Sequence, residues 1–367
     1  LNKSKNKKYT FLTLFTVIFI LTTFTSCDVL EEILLQSDIT QSENSVDNKV
    51  SVHFIDVGQG DSTLISFNNE ENILIDGGDT STQDALVQYL KDIGIKKFKY
   101  VVATHPHSDH IGGLDDVMNN FDVENIILPD VSHSTTAFER LLLAIEKNEV
   151  NVMIPELEDK FSVGDINFTV LNPIKENYDN LNNYSVVLKM DYKDLSFMFA
   201  GDAESPVEND ILKKGFDIDV DVYKVSHHGS STSSSAKFVE AMSPAIGVIS
   251  SGKNNDYGHP HRETVAVLKK NSIASYRTDE LGTIVFELED TQIFYDGDVI
   301  FDKATAPNKQ TLYVDENGKG LIKGNINREG KKIYHMPGGA YYNQTNAEKY
   351  FKTEEDAIND GFKKSEQ

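Results

Sequence analysis

Cysteine is nearly absent: Cys27 is the single such residue among 367. One thiol excludes an intramolecular disulfide and any zinc knuckle built on cysteine pairs. Positive charge is scarce as well, with 35 Lys and Arg against 58 Asp and Glu and a formal net charge of −23. Net charge therefore cannot carry this chain onto a polyphosphate, and a phosphate substrate would need local positive charge or bound metal. Long apolar runs are missing too. The longest candidate, residues 9–21, is short and threonine-rich, which disfavours a permanent membrane span. What is present is 39% hydrophobic residues over a length that suits one large domain, or a domain plus a small partner, so the chain can bury a core and is neither disordered nor fibrous.

The lone cysteine is explained by its position. Lys3, Lys5, Lys7 and Lys8 precede the apolar stretch, and Thr22-Thr-Phe-Thr-Ser26 closes it. Basic, apolar and small segments in that order form a secretion signal. Thr25-Ser26-Cys27 resembles a bacterial lipobox, with Phe24 where leucine is usual. The expectation is a signal peptide over 1–26, lipidation of Cys27, and an extracytoplasmic protein anchored to the cell membrane by that lipid, a plainly secreted protein being the alternative. Residues 27–50 are polar and acidic and read as a flexible tether.

From Val50 the texture changes to short β-type runs separated by Gly- and Asn-rich turns. Helical periodicity follows over 82–93 and 114–121, with buried strands over 99–103 and 124–128. The second half repeats the rhythm, with strands over 168–171, 184–190, 195–199, 220–225 and 245–250 and a helix over 263–270. The whole is a mixed α/β domain over 51–300. Residues 301–311 read as a linker, and 312–367 as a small module, since this last stretch is charge-balanced while the rest carries the acidity.

Chemistry concentrates in Thr104-His105-Pro-His107-Ser-Asp109-His110-Ile-Gly-Gly113, directly after a predicted strand. Three imidazoles and a carboxylate within six residues, at a strand end where a loop turns them inward, suit a pair of divalent metals. His105 and His107 can grip one ion, and Asp109 and His110 can face a second. Imidazole and carboxylate ligands without thiolate suit Zn2+ or Mn2+.

These residues resemble the His-x-His-x-Asp-His signature of the metallo-β-lactamase fold family. The stretches Phe54-Ile-Asp-Val-Gly-Gln-Gly-Asp61, Leu74-Ile-Asp-Gly-Gly78, Ala200-Gly-Asp202, Lys224-Val-Ser-His-His-Gly-Ser230, Gly258-His-Pro-His261 and Tyr276-Arg-Thr-Asp-Glu-Leu-Gly282 are similar to the hydrolase domain of ComEC-type competence proteins and their free-standing secreted relatives. The resemblance implies an αββα sandwich. It implies that Asp202 bridges two metals and that His227 or His228 completes the second, with His227 preferred. It implies that Asp76 orients a ligand histidine from behind. A third histidine on the first metal is missing: where the family pattern would place it the chain reads Asn182-Asn183-Tyr184-Ser185. That departure argues against β-lactam hydrolysis and leaves the first metal with fewer protein ligands.

A scissile phosphodiester needs its oxygens neutralised and an acid for the leaving group. Lys224, Asn255, His259 and His261 are the candidates, and Asp109, His261 and Lys224 form the expected catalytic set. The expected activity is hydrolysis of phosphodiester bonds in DNA or another nucleic acid. Two alternatives are a phosphodiesterase acting on phosphocholine-decorated cell-wall polymers and a non-catalytic metal- and nucleic-acid-binding lipoprotein. The C-terminal stretches Ile322-Lys-Gly-Asn-Ile-Asn327 and Ile333-Tyr-His-Met-Pro-Gly-Gly339 look like a module attached to secreted nucleases. Tyr334, Tyr341 and Tyr342 are its candidate base-stacking residues, with Lys323, Arg328, Lys331 and Lys332 beside them; a role as core of a tiny domain is the alternative.

Overall fold

The computed structural model describes residues 50–306 apart from 68–70 and 176, then 313 and 319–365 apart from 328, 329, 338 and 340. The expected signal peptide, Cys27 and the tether up to 49 lie outside the described residues, and Val50 already opens the first strand. Strand patterning decides the layers. In β1 (Val50–Phe54), β2 (Thr63–Phe67) and β3 (Glu71–Ile75), the side chains of Val52, Phe54, Ile65 and Ile73 join one hydrophobic cluster while Leu64 and Leu74 join another. Both faces are apolar because both are covered, so the period of two sends alternate residues into two different cores. β4 (Lys97–Val102), β5 (Asp122–Ile127) and β6 (Asn151–Met153) extend this sheet in parallel.

A second sheet starts with β7 (Lys160–Val163), β8 (Ile166–Asn172) and β9 (Val187–Tyr192). It continues with β10 (Leu195–Phe199), β11 (Val222–Lys224), β12 (Ile246–Ile249) and β13 (Ala274–Arg277), the last four parallel to one another. The chain then returns to the first sheet with β14 (Ile284–Glu289), β15 (Gln292–Tyr295) and β16 (Asp298–Asp302), where β14 pairs antiparallel with β1 and sets Phe286 opposite Val52. The first sheet runs β16-β15-β14-β1-β2-β3-β4-β5-β6 and the second β13-β12-β11-β10-β9-β8-β7. β16 reaches Asp302, so the domain continues past residue 300 into the stretch read as linker.

Phe54 and Phe286 from one sheet and Phe168, Phe197 and Phe199 from the other share a single cluster between the sheets. Burying each such ring is worth roughly 1.5 to 3 kcal/mol over leaving it in water, so the interlayer holds the two sheets together. Helices cover the outer faces. α1 (Gln83–Asp92), the one-turn α2 (Ser108–Ile111), α3 (Leu114–Asn120) and α4 (Thr136–Lys147) pack on the first sheet. α4 starts where the Thr135 hydroxyl accepts the Phe138 N–H at 3.3 Å, and Phe138, Leu141 and Ile145 then recur on its buried face at helical spacing. α5 (Ser205–Lys214), α6 (Ala236–Met242) and α7 (Arg262–Lys270) pack on the second sheet. The result is the expected αββα sandwich.

One local difference bears on the site. The strand expected over 184–190 begins only at Val187, because Leu181–Tyr184 form a 3-10 turn after the Asn180 side chain accepts the Asn182 N–H at 3.1 Å. Residues 320–365 build a further sheet from β17 (Ile322–Ile326), β18 (Lys332–His335), β19 (Lys349–Phe351) and β20 (Lys363–Lys364), in the order β19-β17-β18-β20. Its core is Ile322, Tyr334, Phe351, Ala357 and Phe362. Tyr334 is thus a core residue whose hydroxyl donates to Glu354, and Tyr342 donates to the Leu321 carbonyl at 2.6 Å beneath the Lys323 ammonium; of the three expected base-stacking tyrosines only Tyr341 is exposed. Among the described residues no helix is long and apolar enough to cross a membrane.

Candidate metal centre

The C-terminal ends of parallel strands carry the functional loops, as open α/β sheets generally arrange them. Asp76 follows β3, the 104–110 segment follows β4, Gly201-Asp202 follows β10, and His227-His228 follows β11. Close backbone approach needs glycine at two points. Gly201 has φ +50°, and a Cβ there would lie 3.0 Å from both Ser185 Oγ and the Thr104 side chain. Gly60 has φ +143°, and its Cβ would lie 2.4 Å from the Asp109 carbonyl oxygen, so the 58–61 turn seats directly on the metal-binding loop.

Donor atoms converge on Asp202. Its Oδ2 lies 3.7 Å from His105 Nε2, and His105 Nε2 lies 3.0 Å from His107 Nδ1. Its Oδ1 lies 3.2 Å from His110 Nε2 and 3.6 Å from His228 Nε2, while Asp109 Oδ2 lies 3.3 Å from the same His228 nitrogen. His105, His107 and Asp202 form one compact donor group and Asp109, His110 and His228 another. His105, His110, Asp202 and His228 are fully buried, and His107 and Asp109 open to solvent.

The residues behind the donors fix which ring nitrogen faces inward. The Thr104 N–H and hydroxyl each donate to Asp76 at 2.8 Å, and His110 Nδ1 donates to Asp76 Oδ2 at 2.8 Å, leaving His110 Nε2 for the cluster. Because the Thr104 hydroxyl proton is spent on Asp76, its oxygen accepts from His105 Nδ1 at 3.2 Å, so His105 Nε2 also keeps a lone pair for the centre. His228 Nδ1 lies 3.1 Å from both Asp61 Oδ1 and the Ser250 carbonyl. His110 Nε2, His228 Nε2 and Asp202 Oδ1 are buried with no aligned hydrogen-bond partner. Buried polar atoms left this way are costly, and three of them facing one another, flanked by carboxylates, fit divalent cations.

The sequence profile of the metallo-beta-lactamase superfamily matches residues 55–253, more than half of the chain. The chain belongs to the metallo-beta-lactamase superfamily. It is 31% identical over 252 residues to ComE operon protein 3 of Bacillus subtilis (strain 168), covering 64% of this chain and 32% of that protein. It is 26% identical over 251 residues to Competence protein ComA of Neisseria gonorrhoeae, covering 66% of this chain and 33% of that protein. The chain therefore spans about a third of the length of these relatives. Among solved structures, the metallo-beta-lactamase fold protein YhfI from Bacillus subtilis aligns with 12% identity and a TM-score of 0.47 over 65% of this chain and 100% of that one. A separate profile, ArfC, matches residues 315–364.

Electrostatics within this metallo-beta-lactamase centre favour a cation. Burial works to lower the His110 and His228 pKa values, yet Asp202, Asp76 and Asp109 hold His110 well above its ordinary value, and Asp202 and Asp61 push His228 up to about 10. Burial and the neighbouring His110 hold His105 well below its ordinary value, so its lone pair is available. Carboxylates dense enough to keep protons on buried imidazoles will equally hold metal ions in their place.

Several expected site residues are placed differently. His228, not the favoured His227, sits with Asp109 and His110; His227 lies at the rim, its Nδ1 3.1 Å from Thr232 Oγ1 and its Nε2 3.6 Å from Asp202 Oδ2. Both histidines adopt left-handed backbone, φ 52° and 53°, which no strand or helix pattern announces. Lys224, expected at the substrate, is buried and donates to both oxygens of Asp61 at 2.8 Å. Burial alone would raise the Asp61 pKa, but Lys224 and His228 outweigh it and hold the carboxyl below its ordinary range. Lys224 therefore acts through Asp61 on His228.

His261, expected as an acid, has both ring nitrogens engaged: Nδ1 accepts the Ser231 N–H at 2.9 Å and Nε2 donates to the Tyr257 carbonyl at 3.1 Å. Asn255 also turns inward, holding its own loop through Gly252 and His259. His259 is the member of this group whose ring adjoins the donor histidines. Its Nδ1 is buried without a partner and its ring lies 6.0 Å from His228 and 5.7 Å from His227. Burial and then the neighbouring histidines depress its pKa to about 4. At the position of the missing third histidine, Ser185 accepts the Asp202 N–H at 3.0 Å and lies 3.4 Å from His105 Nδ1, so it orients ligands from behind. Sequence reasoning assigned Asp61 and Ser185 no role. A lysine inside the apolar run Val222-Tyr-Lys-Val225 was a signal that a buried carboxylate had to face it.

Proposed function

We propose that this protein is an extracytoplasmic, metal-dependent phosphodiesterase whose substrate is DNA or another nucleic acid. The observation that carries the proposal is Asp202, which turns Oδ2 toward His105 and Oδ1 toward His110 and His228 and so serves two donor groups at once. Two divalent ions held there by His105, His107, Asp109, His110, Asp202 and His228 would supply an activated water and charge stabilisation for a phosphoryl centre. Zinc or manganese suits this imidazole and carboxylate set.

The chain's own residues supply the rest. Asp76, Thr104 and Ser185 hold the ligand rings and Asp202 in register. Asp61, neutralised by Lys224, does the same for His228. The His259 ring stands beside the donors, 6.0 Å from His228. Three protein donors on the first group, in place of the four a third histidine would provide, leave room for an anionic substrate oxygen. Relatives bearing the names Competence protein ComA and Recombination protein 2 support a nucleic-acid substrate over a β-lactam.

The decisive experiment is cleavage of end-labelled single- and double-stranded DNA by the full chain with zinc or manganese, beside a His107→Ala, Asp109→Ala variant. Metal-dependent cleavage that falls to background in the variant is the expected result. Metal uptake without cleavage would refute the nuclease assignment and favour wall-polymer phosphodiesters. The proposed anchorage at Cys27 predicts lipid labelling that disappears in Cys27→Ser.

A further inference from the structure

Tyr257 is 66% exposed, more than Tyr341 at 54% or Tyr350 at 41%. Its ring is stacked on His259, with centroids 5.6 Å apart and planes 17° from parallel. His259 lies 6.0 Å from His228, so a single imidazole separates an open aromatic face from the metal-binding donors.

The loop that presents this face is braced. Asn255 Oδ1 accepts the His259 N–H at 3.0 Å, and Asn255 Nδ2 donates to the Gly252 carbonyl at 2.9 Å and to that of His259 at 2.6 Å. His261 bridges the Tyr257 carbonyl to the Ser231 N–H, and the Gly252 N–H reaches Gln59 Oε1 at 3.2 Å. Such bracing spares a ligand the entropy of ordering the loop. An aromatic ring held in water with one face covered and one face open offers its π surface to a flat partner. Beside a phosphodiester-cleaving centre, the flat partner attached to the phosphate is a nucleobase.

We infer that the Tyr257–His259 stack is a nucleobase platform, on which an unpaired base rests while the adjoining phosphodiester reaches the donor cluster. A base inside a duplex cannot present its face in this way, so the platform selects single strands and frayed ends. The inference rests on the phosphodiesterase assignment above, and its test separates the two.

The full chain, metal-loaded, is assayed on three p-nitrophenyl diesters: those of thymidine 5′-phosphate, methyl phosphate and phosphocholine. In the unaltered protein KM for the thymidine ester lies about five- to about a hundredfold below that for the methyl ester, the range one stacked base supplies. Tyr257→Ala brings the two KM values together, with kcat for the thymidine ester moving less than KM, and Tyr257→Phe restores the gap. Equal KM values in the unaltered protein, or equal loss on both esters in Tyr257→Ala, overturn the platform while phosphodiesterase activity stands. A Tyr257-dependent preference for the phosphocholine ester overturns it in favour of a trimethylammonium group held by cation–π contact. Hydrolysis of none of the three refutes the phosphodiesterase assignment and removes the platform with it.

Discussion

Replacing Lys224 by Met tests how the two halves of the sandwich are locked at the metal centre. The Lys224 Nζ lies 2.8 Å from each oxygen of Asp61, and the two side chains are 3% and 6% exposed. At that separation and an effective dielectric of about 20 the attraction is about 6 kcal/mol, most of it offset by the desolvation both ions undergo. Removing Lys224 takes from Asp61 the nearer of its two cationic partners, His228 Nδ1 at 3.1 Å being the other, and breaking a buried pair costs about 3 to 5 kcal/mol. At about 2 °C per kcal/mol for a domain of this size, Tm should fall by roughly 6 to 10 °C. The assay is denaturant and thermal unfolding in chelator, followed by metal titration of the refolded protein. Asp61 also touches His228 Nδ1 at 3.1 Å, so affinity for the second ion should weaken about 10- to 100-fold, as loss of such backing groups typically does. Removing both charges in Asp61→Asn, Lys224→Met should recover at least about 2 kcal/mol relative to the sum of the single losses. Strict additivity in this cycle would refute the argument, because it would mean that the two charges do not feel each other.

His53 supplies a pH prediction remote from the metal. Burial between Ser51 and Tyr89 lowers its pKa to about 4 from an ordinary 6.5. The unfolded chain therefore binds more protons between these values, stability rises with pH from 4 to 6.5, and the change amounts to roughly 3 kcal/mol. His53→Gln should flatten that part of the stability profile, and an unchanged slope in chelator would contradict the assignment. Gly201→Ala sets a Cβ against Ser185 and Thr104 at left-handed φ, a strain of about 1 to 2 kcal/mol at the loop that carries Asp202. Metal content measured after gel filtration should fall below that of the unaltered protein, whereas Gly215→Ala, whose Cβ would meet nothing within 4 Å, should bind metal normally.

Local spacing made much of this centre legible. The ligand run 105–110 spans a strand end and a one-turn helix, so the placement of His105, His107, Asp109 and His110 depends on a few residues of chain and can be read from their order. Asp76 was legible because it ends an apolar strand at a glycine pair. Lys224 and His261 were misjudged for a common reason: residue type suggested phosphate chemistry, but each is consumed by a partner at great sequence distance, Asp61 being 163 residues from Lys224 and Ser231 being 30 from His261. The module's Tyr334 was equally ambiguous, since an aromatic residue in a short strand serves a small core as well as a base.

By itself the sequence determined the layered α/β class, the position of the ligand run and the kinds of donor available, because alternation, glycine turns and histidine spacing act over a few residues. Tertiary structure decided which imidazole joins the donor group of Asp109 and His110, that Lys224 is consumed by Asp61, and which aromatic faces outward. Those choices follow from closure of two sheets on a shared core and from left-handed backbone at His227 and His228, which aims side chains where no periodicity could place them.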